Sequence, residues 1–115
     1  METLHKISRI LSSIGIMIAT VACNTGTGSA AKTHVVEIRS MKFQPAQLKV
    51  NEGDSVLFIN KDIVIHDVTE QSNKRWKSAP LNTGDNYKII VMQSADYYCS
   101  IHPIMKGKIR INKTQ

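Results

Sequence analysis

A thiol, an imidazole and a thioether fall within seven residues at Cys99-Ser100-Ile101-His102-Pro103-Ile104-Met105, a C-x-x-H-x-x-M pattern. Soft sulfur with imidazole suits copper, whereas hard cations want carboxylates, which this stretch lacks. Two His, one Cys and a weak axial Met make the trigonal copper site that passes single electrons. The second imidazole must come from elsewhere, and His66, 33 residues upstream of Cys99 at the end of an apolar strand, is the candidate. A Cys99 thiolate binds both Cu(I) and Cu(II), the two imidazoles are tolerated by both, and a weakly held Met105 thioether favours Cu(I). Taken singly, a Cys is usually a small buried hydrophobe and a Met a core filler. Together, on one strand-rich chain, they outweigh those readings. Zinc is the chief competing metal, but it prefers a fourth strong donor and Met is a poor one. A Cys23–Cys99 disulfide is the other alternative, and it would leave the adjacent His and Met without a use. No second acid/base or nucleophile set accompanies the loop, which argues against a hydrolytic enzyme.

The segments that must position these residues read as strands. From His34 onward apolar residues alternate with polar ones and no helical period persists. Val36 and Ile38 alternate with Val35, Glu37 and Arg39; Met41 and Phe43 bracket Lys42 before Pro45; Leu48 and Val50 alternate with Gln47 and Lys49. Asn51-Glu52-Gly53-Asp54 is a turn signal. Residues 56–60, 66–70, 87–92, 96–100 and 107–112 read as further strands, and 71–86 as loop with a short strand near Trp76. Seven to eight short strands in this length predict an all-β fold, a Greek-key β-sandwich. Tyr97 shares the face of Cys99 and is expected in the core, Trp76 at its edge and His34 on the surface. The basic run Lys74-Arg75-Trp76-Lys77 is read as a solvated loop in preference to a docking rim.

The chain has 115 residues, 42% apolar and 21% charged, with 15 basic and 9 acidic side chains and a net charge of +6. That is one small domain. It excludes a multidomain enzyme, a polytopic membrane protein, a coiled coil and a collagen-like chain. The basic charge is dispersed, and no nucleic-acid partner is expected. Residues 1–22 read as a signal peptide: Lys6 and Arg9 precede a 13-residue apolar stretch from Ile10 to Ala22, too short to span a bilayer. Thr20-Val21-Ala22-Cys23 resembles a bacterial lipobox, with Thr20 departing from the usual Leu. Lipidation of Cys23 is therefore expected ahead of ordinary cleavage. Residues 23–33 read as a flexible tether, and 34–115 as the folded domain.

Several ordered motifs now carry a resemblance. Met41-Lys42-Phe43-Gln44-Pro45, Val50-Asn51-Glu52-Gly53-Asp54-Ser55-Val56, Phe58-Ile59-Asn60-Lys61-Asp62 followed by His66, and the Cys99–Met105 loop resemble the cupredoxins of the plastocyanin/azurin group. The short ligand loop is most similar to that of amicyanins. The resemblance implies one type 1 copper per domain, held by His66, Cys99, His102 and Met105. It implies a periplasmic or otherwise extracytoplasmic electron carrier, monomeric and not an enzyme. Its partners would be redox proteins such as a c-type cytochrome, a dehydrogenase or a reductase. Any membrane contact would come through the lipid on Cys23. His102 would reach the surface beside Pro103 and Ile104, with Lys106 adding positive charge. The alternatives are copper buffering or delivery, and an accessory domain of a larger redox complex. Two places depart from the family pattern: Ile65 and Asp67 stand where relatives commonly have Pro and Asn. That Asn helps tie the two ligand segments together. Around the metal, residue 67 is expected to donate its backbone N–H to Cys99 sulfur, with Ser100 beside it. Its carboxylate has three open placements: close to copper, where it would favour Cu(II) and lower the potential, facing solvent, or paired with a Lys.

Overall fold

The structure is a computed structural model and describes residues 15–23 and 28–113. The basic start of the expected leader and residues 24–27 of the expected tether lie outside the described residues. Gly15 to Cys23 is exposed and forms no helix. No helix among the described residues is long and apolar enough to cross a membrane.

Eight strands follow in order: β1 (Thr33–Arg39), β2 (Lys42–Gln44), β3 (Gln47–Val50), β4 (Ser55–Asn60), β5 (Thr69–Glu70), β6 (Asn86–Ile90), β7 (Ala95–Tyr98) and β8 (Lys106–Ile111). They form two four-stranded sheets, β2-β1-β4-β6 and β3-β8-β7-β5, so the expected all-β sandwich is present. β1 pairs with β4, and β3 with β8, in parallel; the remaining pairings are antiparallel. The chain changes sheets at Pro45–Ala46, between β2 and β3.

The alternation read from the sequence is the alternation of burial. Val36 and Ile38 on β1, Val56 and Phe58 on β4, Tyr97 on β7 and Ile109 on β8 point inward and are fully buried. Each such side chain stabilises the fold by roughly 1.5–3 kcal/mol relative to exposure. Tyr97 is the centre of the packing. Its ring meets Phe43 at 4.8 Å and Phe58 at 5.2 Å, both edge-on, with Trp76 at 6.0 Å. Trp76 packs from the edge of the core, as expected.

Several details differ from the sequence reading: the strand expected at 66–70 is only Thr69–Glu70, and the one expected at 96–100 ends at Tyr98. β6 ends at Ile90, because Val91 exchanges backbone hydrogen bonds with Gly53 and Asp54 of the preceding turn. His66 does not end an apolar strand: β4 stops at Asn60, and His66 stands in the following loop, bridged to Leu81. His34 is half-buried rather than free on the surface, its Nε2 2.8 Å from the Asp54 carboxylate.

Asp54 closes the end of the sandwich that β1 and β4 enter together. It accepts the backbone N–H of Lys32 at 2.9 Å and of Asn51 at 3.1 Å, besides the His34 ring. The Lys32 bond first, then His34 and Asn51, hold its carboxyl at about 2, from an ordinary 3.8. A depressed carboxyl stabilises the fold fully above its unfolded value and loses that contribution as pH falls through the folded one. Urea unfolding of the parent and Asp54→Asn should therefore give midpoints well separated near pH 5 that converge as pH falls towards about 2. Constant separation would refute this role. A Cβ on Gly107 would lie 2.2 Å from the Tyr97 ring. Gly107→Ala is expected to lower stability by about 1–3 kcal/mol in the same assay, since a packed aromatic cannot yield that space.

Candidate metal centre

The centre assembles where the β4–β5 loop meets the β7–β8 loop. Asn60, fully buried at the end of β4, shapes the first loop. Its side-chain amide donates to the carbonyls of Val64 and Leu81, at 2.9 and 2.8 Å, and its oxygen accepts the N–H of Asp62. Further along that loop, the His66 N–H donates to Leu81 O and the Leu81 N–H returns to His66 O. The His66 backbone is thus fixed on both sides before its ring is considered.

Asp62 fixes the ring. One carboxylate oxygen lies 2.9 Å from His66 Nε2 and accepts its hydrogen, which leaves the Nδ1 lone pair free on the opposite side. The same carboxylate accepts the backbone N–H groups of Ser40 and Met41, at 2.6 and 2.9 Å. Both residues have positive φ, 50° and 59°, an uncommon conformation for side chains other than Gly, and here it aims successive N–H groups at one anion. Burial pushes the Asp62 carboxyl up, but the hydrogen bonds from Met41, His66 and Ser40 outweigh it and leave the group below the usual range.

The second loop is held by its own backbone. The Cys99 N–H donates to Met105 O at 3.1 Å, and the Met105 N–H donates to His102 O at 2.9 Å. Cys99 is fully buried, Met105 is buried in the same core cluster, and His102 is half-buried. Cys99 Sγ lies 3.9 Å from His66 Nδ1 and 3.8 Å from His102 Nδ1. The donor atoms of the three residues lie within 4.8 Å of one another. With metal–sulfur near 2.3 Å and metal–nitrogen near 2.0–2.1 Å, a trigonal arrangement separates sulfur from nitrogen by about 3.8 Å. The residues present therefore fit a thiolate- and imidazole-bound transition metal. Cys23 is a free thiol and exposed, so no disulfide competes for Cys99.

Residues 67 and 100 lock the two loops together. The Asp67 N–H donates to Cys99 Sγ at 3.3 Å, as expected. Its carboxylate takes none of the outward placements: it is buried, neither facing solvent nor paired with a Lys. One oxygen accepts the Ser100 N–H at 2.7 Å and the Thr69 hydroxyl at 3.1 Å, and the other accepts the Ser100 hydroxyl. An acceptor-only side chain makes the tie because Ser100 supplies both donors.

Pro103, Ile104 and Lys106 are exposed, the first two beside His102. The basic run Lys74-Arg75-Trp76-Lys77 sits elsewhere. β5 pairs Thr69 with Tyr98 and Glu70 with Tyr97, and Gln71 bonds to Asp96, so the chain recedes from Cys99 before that run begins. Arg75 faces the buried Glu70 carboxylate at 3.4 Å, in keeping with a solvated loop. Sequence reasoning gave no role to Asp62 or to Ile63-Val64-Ile65. The signals were an acid four residues before a candidate ligand, and three consecutive apolar residues in a loop.

The sequence model of the copper binding proteins of the plastocyanin/azurin family matches residues 30–112. Amicyanin of Paracoccus denitrificans is 31% identical over 81 residues, covering 65% of this chain and 62% of the relative. The chain thus spans about three fifths of that relative's length. A solved Cu(I) structure of an amicyanin variant superposes with a TM-score of 0.65 at 27% identity, covering 70% of this chain and 82% of the other. A copper-containing nitrite reductase of Thermus scotoductus gives 0.63 at 28% identity, covering 70% of this chain and only 22% of that one. A two-sheet sandwich, a buried thiol set between two imidazole nitrogens, and a family match running through both ligand segments agree: the chain belongs to the plastocyanin/azurin family of copper-binding proteins, the cupredoxins.

Proposed function

We propose that this chain carries single electrons outside the cytoplasm, with His66, Cys99, His102 and Met105 as the ligands of one type 1 copper. The observation that carries the reading is the placing of Cys99 Sγ 3.9 and 3.8 Å from the two imidazole Nδ1 atoms. Copper bound there supplies a Cu(II)/Cu(I) couple. The protein's part is to hold the donors still. Asp62 orients His66, the Asp67 N–H supports the Cys99 sulfur, and backbone bonds close the loop that holds His102 and Met105. Burial of His66 and Cys99 keeps water from the metal, and a site that moves little between its two states exchanges electrons readily.

His102 is the ligand nearest solvent, and the two loops that carry the imidazoles expose apolar side chains. Ile104 is 88% and Ile63 98% exposed, with Val64, Ile65, Ile101 and Pro103 also open. An exposed apolar patch of this kind marks an interaction site. Redox proteins such as a c-type cytochrome, a dehydrogenase or a reductase would dock here, with Lys106 adding positive charge at the margin. The chain then acts as a monomer and transforms no substrate of its own. Residues 1–22 serve as the export signal, Cys23 takes a lipid, and 23–33 tether the domain of 34–115. The match to about a fifth of a nitrite reductase favours one second reading, an accessory electron-transfer domain of a larger redox complex.

Full-length chain loaded with Cu(II) should show an intense thiolate-to-copper charge-transfer band, bleached by a mild reductant and absent in Cys99→Ser. A colourless chain that holds copper or prefers zinc would overturn the carrier reading and favour copper buffering or delivery. Ile104→Lys sets like charges against each other when two patches meet. It should slow electron self-exchange at low salt by about tenfold and leave the visible band unchanged. An unchanged exchange rate would place the docking surface elsewhere.

A further inference from the structure

The acidic side chains near the core each have a cationic or ionisable partner, with one exception. Asp54 faces His34, Asp62 faces His66, and Glu70 faces Arg75. Asp67 is 3% exposed, and its oxygens meet only the Ser100 N–H, the Ser100 hydroxyl and the Thr69 hydroxyl. Among the described residues no Lys, Arg or His forms an ion pair with it. The Ser100 N–H can only donate and both hydroxyls are able to, so the set suits an ionised carboxylate. Neutral donors spread that charge without cancelling it, and a buried charge left uncancelled is costly.

The position of this charge gives it a use. Residue 67 follows His66, Ser100 follows Cys99, and the Asp67 N–H already touches the Cys99 sulfur. Two buried negative groups thus stand at this end of the sandwich: the Cys99 thiolate, which faces the two imidazoles, and the Asp67 carboxylate, tied to the residue after it. A divalent ion brings that set to neutrality. A monovalent ion leaves one net negative charge inside the protein, in a medium where charge is weakly screened.

We infer that Asp67 sets the charge preference of this site, favouring divalent over monovalent metal and so holding the reduction potential below that of the same site with a neutral residue 67. This deepens the electron-carrier reading and rests on it.

The test uses the full chain, with Zn(II) and Ag(I) as ions of fixed charge and copper for the potential. Asp67→Asn keeps the shape and should weaken Zn(II) binding relative to Ag(I) by about tenfold or more. The copper midpoint potential should rise in step, by about 59 mV per tenfold for one electron. Asp67→Ser also removes the charge and should move both readouts the same way, so the test survives if one variant does not fold. Ser100→Ala breaks much of the tie and leaves the charge, and should alter the ratio by less than about twofold. An unchanged ratio in both Asp67 variants overturns the inference while the carrier reading stands. So does an equal loss for both ions, or an equal shift in Ser100→Ala, since the carboxylate would then act only through loop geometry. Parent protein that takes up none of the three metals overturns the inference and the carrier reading together.

Discussion

One crossing supports the metal end of this molecule: residue 67 in one loop bonded to residues 99 and 100 in the other. The backbone of Asp67 reaches the Cys99 sulfur and its carboxylate reaches both donors of Ser100. These bonds link segments that are distant in sequence. Without them the His66 loop, fixed to Leu81, and the Cys99 loop, closed on Met105, would meet only through the β5–β7 pairing. A loop held only at its ends cannot place donor atoms to within the few tenths of an ångström that a metal requires. The sandwich brings the loops near each other, and this crossing makes the approach specific.

A second layer of fixation comes from Asp62, which joins three pieces of chain. Its carboxylate gathers the tight turn between β1 and β2, the β4–β5 loop and the His66 ring. The positive φ values at Ser40 and Met41 are maintained because the carboxylate rewards them with two hydrogen bonds. Behind these polar contacts lies the aromatic cluster around Tyr97, two residues before Cys99, which directly follows the end of β7. The rigidity of the core thus reaches the thiol through one strand, and the rigidity of the polar loops reaches the imidazole.

Most of the architecture was legible because it rests on local periodicity. The alternation in β1, β4, β7 and β8 follows directly from the pleat, and the C-x-x-H-x-x-M spacing declares its chemistry with no fold at all. The Cys99 contact from residue 67 was legible too, since it uses a backbone N–H that any residue there supplies. What stayed hidden was set by partners distant in sequence. The end of β6 depends on Val91 being drawn into the turn at Gly53–Asp54. The burial of His34 depends on Asp54, 20 residues on. The Asp67 carboxylate turns inward because Ser100, 33 residues on, offers it two donors besides the neighbouring Thr69 hydroxyl.

The parallel pairings have a consequence for how the protein comes into being. β1 with β4 and β3 with β8 join stretches far apart along the chain, and such topologies are assembled slowly because long loops must close first. Until they close, the sulfur of Cys99 is open to oxidants and to other thiols. Once β7 is seated, Cys99 is fully buried. The sandwich is therefore also a safeguard on its own reactive sulfur. The hazardous interval for this protein is its folding time, and any factor that speeds strand assembly also protects the group on which metal binding depends.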